Sequence, residues 1–183
     1  MLVTAATAGI GLAIAHRLCS EGARVFICSR KQANVDDAVR ELRAKYGPDA
    51  AGGVPCSVSQ PGELEKYVDA GVKFFGGGKI HGVVSNVAMN PVMGRVLEME
   101  DKTYDKIMDT NVRSHFRLLK LCKPHLETPG AAIILVSSVG GMLPNFPIGV
   151  YDVSKTALIA LGRALATELG REGKTTLEYL QEE

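Results

Sequence analysis

The chain reads as an α/β domain built on a Rossmann-like, doubly wound parallel sheet with helices on both faces. Three observations predict this. Strand-like apolar runs alternate with helix-length patterns five times along 183 residues, an order that calls for parallel strands joined by helical crossovers. A glycine-bearing turn follows the first run. Small polar residues follow the fourth and fifth, at the strand ends where such sheets bind ligands.

Leu2 to Ala5 is a short first strand. Ile10 to Glu21 carries apolar residues at helical spacing and stops at Gly22. Arg24 to Ser29 is a strand, Gln32 to Tyr46 an amphipathic helix ended by Gly47-Pro48, and Ala50 to Cys56 a weak third strand. Glu63 to Phe75 is a helix closed by Gly76 to Gly78, and Ile80 to Ser85 a strand. Thr103 to Lys123 reads as one long helix with Ile107, Met108, Val112, Phe116 and Leu119 along its apolar face, ending at Pro124. Ala131 to Val136 is a strand buried on both sides, and Tyr151 to Leu169 a final helix stopped by Gly170. Residues 1–170 form one domain on this reading, followed by a charged tail, 171–183.

With 46% hydrophobic residues and a net charge of +1, the chain can bury a sizeable core. It lacks the basic stripe of a nucleic-acid binder. No apolar run approaches the ~18 residues of a membrane span. The N-terminus lacks a secretory pattern and the C-terminus a peroxisomal one, so the expected location is cytoplasmic. Cys19, Cys28, Cys56 and Cys122 are irregularly spaced, as buried thiols of a reducing compartment would be. His16-x-x-Cys19 and Cys122-x-x-His125 have ligand-like spacing, but both fit ordinary helix packing, and no metal is expected.

After the first strand, Gly9 and Gly11 allow backbone N–H groups to approach a pyrophosphate at a helix N-terminus. Two glycines at a helix start also occur in plain tight turns. The second strand ends in Ser29-Arg30-Lys31. No acidic residue stands there to hold ribose hydroxyls, and the cations suit a 2′-phosphate. The alternative is a pair of solvated cations opening a helix.

Tyr151 and Lys155 are four apart at a helix start and share one face. Tyrosine titrates near pH 10; bringing it to about 7 takes about 4 kcal/mol, which a neighbouring ammonium can help supply. The phenol then serves as general acid toward a carbonyl oxygen or general base toward an alcohol. Ser138, just past the fifth strand, can bond the same oxygen. A lone Tyr-x-x-x-Lys is common on helix surfaces, and its position is what gives it weight.

Taken together, Thr4-Ala5-x-x-x-Gly9-Ile10-Gly11, Ser85-Asn86-Val87-Ala88, Asn111-Val112, Ser138 and Tyr151-x-x-x-Lys155 resemble the short-chain dehydrogenase/reductase pattern. The resemblance runs from about Leu2 to Leu169. The stretches around Arg30, Asn86 and Lys155 resemble the NADP-dependent carbonyl reductase/retinol dehydrogenase branch known as member 4 of that family. It implies Tyr151 as the acid–base, and Lys155 holding the nicotinamide ribose and lowering the tyrosine pKa. Ser138 would orient the substrate carbonyl, and Asn111 would position a relay water. Thr4, Gly9, Ile10 and Gly11 would line the pyrophosphate, Ser29, Arg30 and Lys31 the adenosine phosphate, and Asn86 and Ala88 the length of NADP(H). The implied substrate is a small carbonyl compound or alcohol.

The chain departs from the pattern at Ala5, in place of the first glycine, at Ser57, where many members carry Asp, and at Ala88, in place of a glycine. The family continues with a further strand, a Pro-Gly turn over the nicotinamide and a substrate-covering loop. Here Arg171 to Glu183 reads as a short helix or a disordered tail, leaving the fifth strand at an open edge. An alternative reading follows: a shortened, inactive or regulatory chain that binds cofactor weakly. It would pair with itself or with a full-length relative through the helices 103–123 and 151–169, as the family commonly does. Substrate shape would rest on Pro91 to Glu98 and Gly140 to Val150.

Overall fold

The computed structural model describes residues 1–127, 129–171 and 175–179. The order is β1 (Leu2–Val3), α1 (Gly9–Ser20), β2 (Val25–Ser29), α2 (Gln32–Tyr46), β3 (Ala51–Pro55), α3 (Glu63–Phe74) and β4 (Gly82–Ser85). There follow α4 (Asp101–Met108), a π-turn (Asp109–Arg113), α5 (Ser114–Cys122), β5 (Ala132–Val136), α6 (Gly149–Gly170) and β6 (Thr175–Tyr179). The strands form one parallel sheet in the order β3-β2-β1-β4-β5-β6. The chain reverses direction across the sheet between β1 and β4, opening a crevice at their carboxyl ends.

Side chains alternate across the sheet and supply two cores. Val3, Val25, Ile27 and Val84 pack with Ala15 of α1 and Leu42 of α2. Leu2, Phe26, Val83, Ile133 and Leu135 pack with Tyr67 of α3, Leu118 of α5 and Leu158 of α6. This is the expected three-layer arrangement. Tyr67, fully buried, donates its hydroxyl proton to the Phe26 carbonyl at 2.9 Å, so the largest polar tip in that core is bonded.

Three sequence expectations change. β1 is two residues long rather than four, because the backbone turns at Ala5, whose φ is 51°. The strand is still flanked on both sides, and Leu2 and Val3 are fully buried. The tail does not leave β5 at an open edge: Thr175–Tyr179 pairs with it in parallel, Ala132 opposite Thr175 and Val136 opposite Tyr179. Its Thr-Thr-Leu-Glu-Tyr composition has β-branched and aromatic residues enough for a strand. The remaining tail positions, 172–174 and 180–183, lie outside the described residues.

The long helix is also not uniform. The π-turn adds one residue to a turn and rotates the buried face beyond it. Ile107, Asn111, His115, Leu118, Leu119 and Cys122 are buried, while Val112 is half-buried and Phe116 half-exposed.

Candidate active site

Two side-chain groups meet at the carboxyl edge of the sheet. The first surrounds the turn after β1. Thr4 is fully buried; its hydroxyl accepts from the Asn86 backbone N–H at 3.0 Å, and the Asn86 amide donates to the Ala5 carbonyl at 3.3 Å. A Cβ on Gly11 would collide with the Ala5 carbonyl and stand 2.8 Å from the Asn86 amide nitrogen. Glycine at 11 therefore lets α1 lie against the β4 exit. Ala8, at the N-cap of α1, offers no side-chain cap, and the first turn has no acidic residue. That leaves a helix terminus with N–H groups and partial positive charge for an anion.

From this turn a cleft of about 480 Å³ runs toward the ends of β2 and β3. Ala5, Thr7, Ala8, Ser29, Arg30, Ser57, Gln60, Ala88, Met89 and Lys106 are among its lining residues. Of the expected cofactor residues, Ser29, Arg30 and Ala88 line this cleft. Thr4, Gly9, Ile10, Gly11, Lys31, Asn86, Tyr151 and Lys155 stand outside its lining. Gly9, at φ 53°, opens α1, and Lys31 is exposed at the N-cap of α2. Thr7, Met89 and Lys106 were not singled out by sequence, because each becomes part of the cleft only through packing of separate elements.

The second group lies around the first turns of α6. Lys155 is 1% exposed. Its ammonium donates to the Val136 carbonyl at the end of β5 at 2.8 Å and stands 5.6 Å from the centroid of the half-buried Tyr151 ring. Burial lowers its pKa from 10.5 to about 8. Ser138 is buried and accepts from the Gly140 N–H at 3.1 Å, so its own hydrogen is left for another acceptor. Ser137 donates to the Lys155 carbonyl at 3.0 Å, tying the β5 exit to α6. Asp152, fully buried, accepts from the Asn145 N–H through Oδ2 and pins the β5–α6 loop. That loop meets the β4–α4 loop where the Gly94 N–H donates to the Pro147 carbonyl at 2.9 Å. Met93, Leu97, Met142, Leu143 and Phe146 form an exposed apolar rim on these two loops.

Asn111 joins the two groups. Its amide donates to the Met89 carbonyl and to Ser154 Oγ, both at 2.9 Å, and its Oδ1 accepts from the Met89 N–H at 2.8 Å. Ser154 in turn donates to the Tyr151 carbonyl. Hydrogen bonds thus link Asn111 through Ser154 to the Tyr151 turn, and Ser137, next to Ser138, to Lys155. His115 was missed: it is fully buried, and both ring nitrogens face polar partners on the β4 exit. Its only sequence signal was a histidine beside the apolar stripe of a helix.

The spaced His/Cys pairs pack as ordinary residues. His16 bonds Glu41 and Tyr46, Cys19 donates to the Ala50 carbonyl, and burial pushes the Cys122 thiol up to about 12. Among the described residues, no cluster of three or more His, Cys, Asp or Glu could hold a metal. Among them too, no helix is long and apolar enough to cross a membrane. All four cysteines are buried. α5 and α6 leave a shallow groove lined by Phe116, Leu119, Leu126 and Leu165, bordered by a Lys123–Glu168 ion pair of 3.0 Å.

A family model described as "Enoyl-(Acyl carrier protein) reductase" matches residues 4–175. The chain is 45% identical over 168 residues to Tropinone reductase-like 3 of Erythroxylum coca, covering 92% of this chain and 63% of that protein. It is 41% identical over 169 residues to Dehydrogenase/reductase SDR family member 4 of Homo sapiens, covering 92% and 59%. Among solved structures it is similar to an actinorhodin polyketide ketoreductase with NADPH, with TM-score 0.86, 32% identity, and coverage of 97% of this chain and 67% of that one. It also resembles a 3-ketoacyl-(acyl-carrier-protein) reductase from Brucella melitensis complexed with NADH, with TM-score 0.89, 25% identity, and coverage of 99% and 74%. The chain spans less than two thirds of the length of these curated relatives.

Proposed function

The chain belongs to the short-chain dehydrogenase/reductase family, a family of oxidoreductases, and on that premise we propose that it uses NADP(H) to interconvert a ketone or aldehyde with an alcohol. Tyr151 acts as the acid–base, with Ser138, Lys155 and Asn111 as its partners. The observation that carries this reading is the buried Lys155 ammonium, 5.6 Å from the Tyr151 ring centroid. A cation held beside the ring favours the phenolate over the neutral phenol, which is what an acid–base tyrosine needs.

The residues present fit a phosphorylated dinucleotide. The uncapped N-terminus of α1 would take the pyrophosphate, with Thr4, Gly9, Ile10 and Gly11 shaping the turn. Ser29, Arg30 and Lys31 would take the 2′-phosphate, which Arg30 can grip through two parallel bonds. Asn86 and Ala88 would lie along the cofactor. Ser57 stands where many members place an Asp against the adenine, so that contact is weaker here. When bound, the reduced nicotinamide supplies the hydride.

The protein's part is orientation and proton transfer. The Ser138 hydroxyl, its oxygen already engaged by the Gly140 N–H, donates to the carbonyl oxygen of the substrate. Tyr151 passes its proton to that oxygen, and the Lys155 ammonium holds the phenolate that remains. In the reverse direction the phenolate accepts the alcohol proton. Asn111, in the π-turn, fixes Met89 and the Tyr151 turn relative to each other. Association with a second chain through the α5–α6 face belongs to the same proposal.

The test is NADPH consumption with a ketone substrate beside a Tyr151→Phe variant. The variant is expected to lose about 10²–10⁴-fold in turnover, with NADPH binding retained. Full turnover in Tyr151→Phe removes the acid–base assignment.

A further inference from the structure

His115 has a role that the acid–base group does not account for. The segment from Ser85 to Met89 leaves β4 and forms one wall of the cleft through Val87, Ala88 and Met89. The α4–α5 helix holds it at both ends. Asn111 bonds both backbone groups of Met89. One turn later, His115 Nε2 lies 2.9 Å from the Val87 carbonyl and Nδ1 lies 2.7 Å from Ser85 Oγ.

The hydrogen-bond roles follow from chemistry. A carbonyl only accepts, so Nε2 carries the proton and donates to Val87. Burial first, and the Lys155 charge second, lower the His115 pKa to about 3, so the ring is neutral and Nδ1 accepts the Ser85 hydroxyl proton. Both nitrogens are used and the ring is fully buried. The imidazole therefore braces the two neighbours of Asn86, whose own bonds reach Thr4 and Ala5 across the crevice.

We propose that His115 is a positioning residue that sets the Ser85–Met89 wall at the spacing a nicotinamide dinucleotide requires. This rests on the cofactor reading above. Removing the brace frees Val87 and Ala88 to shift, and weakens dinucleotide binding without removing any group that handles the substrate proton.

The test uses the full chain, with NADPH binding followed by fluorescence titration and backbone mobility by amide hydrogen exchange. His115→Phe keeps an aromatic ring and removes both bonds. Its Kd for NADPH is expected to rise at least tenfold, with faster exchange confined to residues 87–89. His115→Gln restores a donor for Val87 and is expected to bring the Kd back to within about threefold of wild type, a rescue that general loosening of the fold would not give. Ser85→Ala removes one bond only and covers the case in which His115→Phe does not fold; a rise of about threefold is expected. NADPH affinity unchanged in His115→Phe, or in Ser85→Ala when His115→Phe does not fold, overturns the inference and leaves the function reading intact. Failure of the wild-type chain to bind either NADPH or NADH overturns both.

Discussion

Lys155 carries a cost that its neighbours do not remove. Its fall from 10.5 to about 8 through burial corresponds to roughly 3 kcal/mol against the charged form at neutral pH. Between about pH 8 and 10.5 the unfolded chain binds a proton that the folded chain has released, so this group makes stability rise with pH across that window. The charge that favours the Tyr151 phenolate fades over the same range. Lys155→Met is therefore expected to be at least as stable as wild type at pH 7, even after losing its bond to Val136 (worth about 1 kcal/mol), while turnover falls at least 100-fold. A thermal melt and a rate assay on one sample check both; a large drop in Tm would contradict the assigned cost. Ala5 stores a smaller strain. At φ 51° it adopts a left-handed backbone that disfavours any Cβ, so Ala5→Gly is expected to gain up to about 1 kcal/mol, raising Tm by about 2–4 °C. The sequence marked Ala5 as a departure from glycine and placed Lys155 on the Tyr151 face. It did not disclose His115, because a buried neutral imidazole is defined by partners 28 and 30 positions away.

At the scale of elements, apolar periodicity located each of the first five strands within a few residues, because burial on two faces leaves a continuous apolar run. It failed where periodicity carries no information. The π-turn at Asp109–Arg113 keeps the helix axis but advances its phase, so Val112 and Phe116 of the predicted apolar face turn outward while Leu119 stays buried. A polar asparagine amid the apolar stripe was the available sign, and from this turn it makes two bonds to Met89. β6 was hidden by the charges around it. Hydrogen exchange is expected to find alternate amides of Thr175–Tyr179 protected by pairing with β5; uniformly fast exchange there would contradict the strand.

At the scale of the molecule, the strand order places every candidate functional group at one edge of the sheet. The cleft draws on residues from Ala5 to Thr110, and no local pattern could outline it. Its charge was more legible, since Arg30 directly follows β2, where an acidic residue would favour the unphosphorylated cofactor. NADPH at 100 times its Kd is expected to stabilise the protein by about 2.7 kcal/mol, raising Tm by about 5–11 °C. Arg30→Ala is expected to reduce that shift for NADPH and leave any NADH shift unchanged. Equal shifts for the two cofactors in wild type would remove the assigned phosphate contact.

The place of β1 in the sheet also has a bearing on time. Its two residues precede every other strand, yet they lie between β2 and β4, with Val3 opposite both Ile27 and Val84. During synthesis this strand waits until some eighty further residues have emerged before its second side is covered. Lys155 cannot meet the β5 terminus until α6 has followed. Distant pairings of this kind slow folding, because the chain must close large loops before the contacts repay it. The cleft is thus completed late, and a nascent chain halted before β4 holds the glycine turn without the wall that it faces.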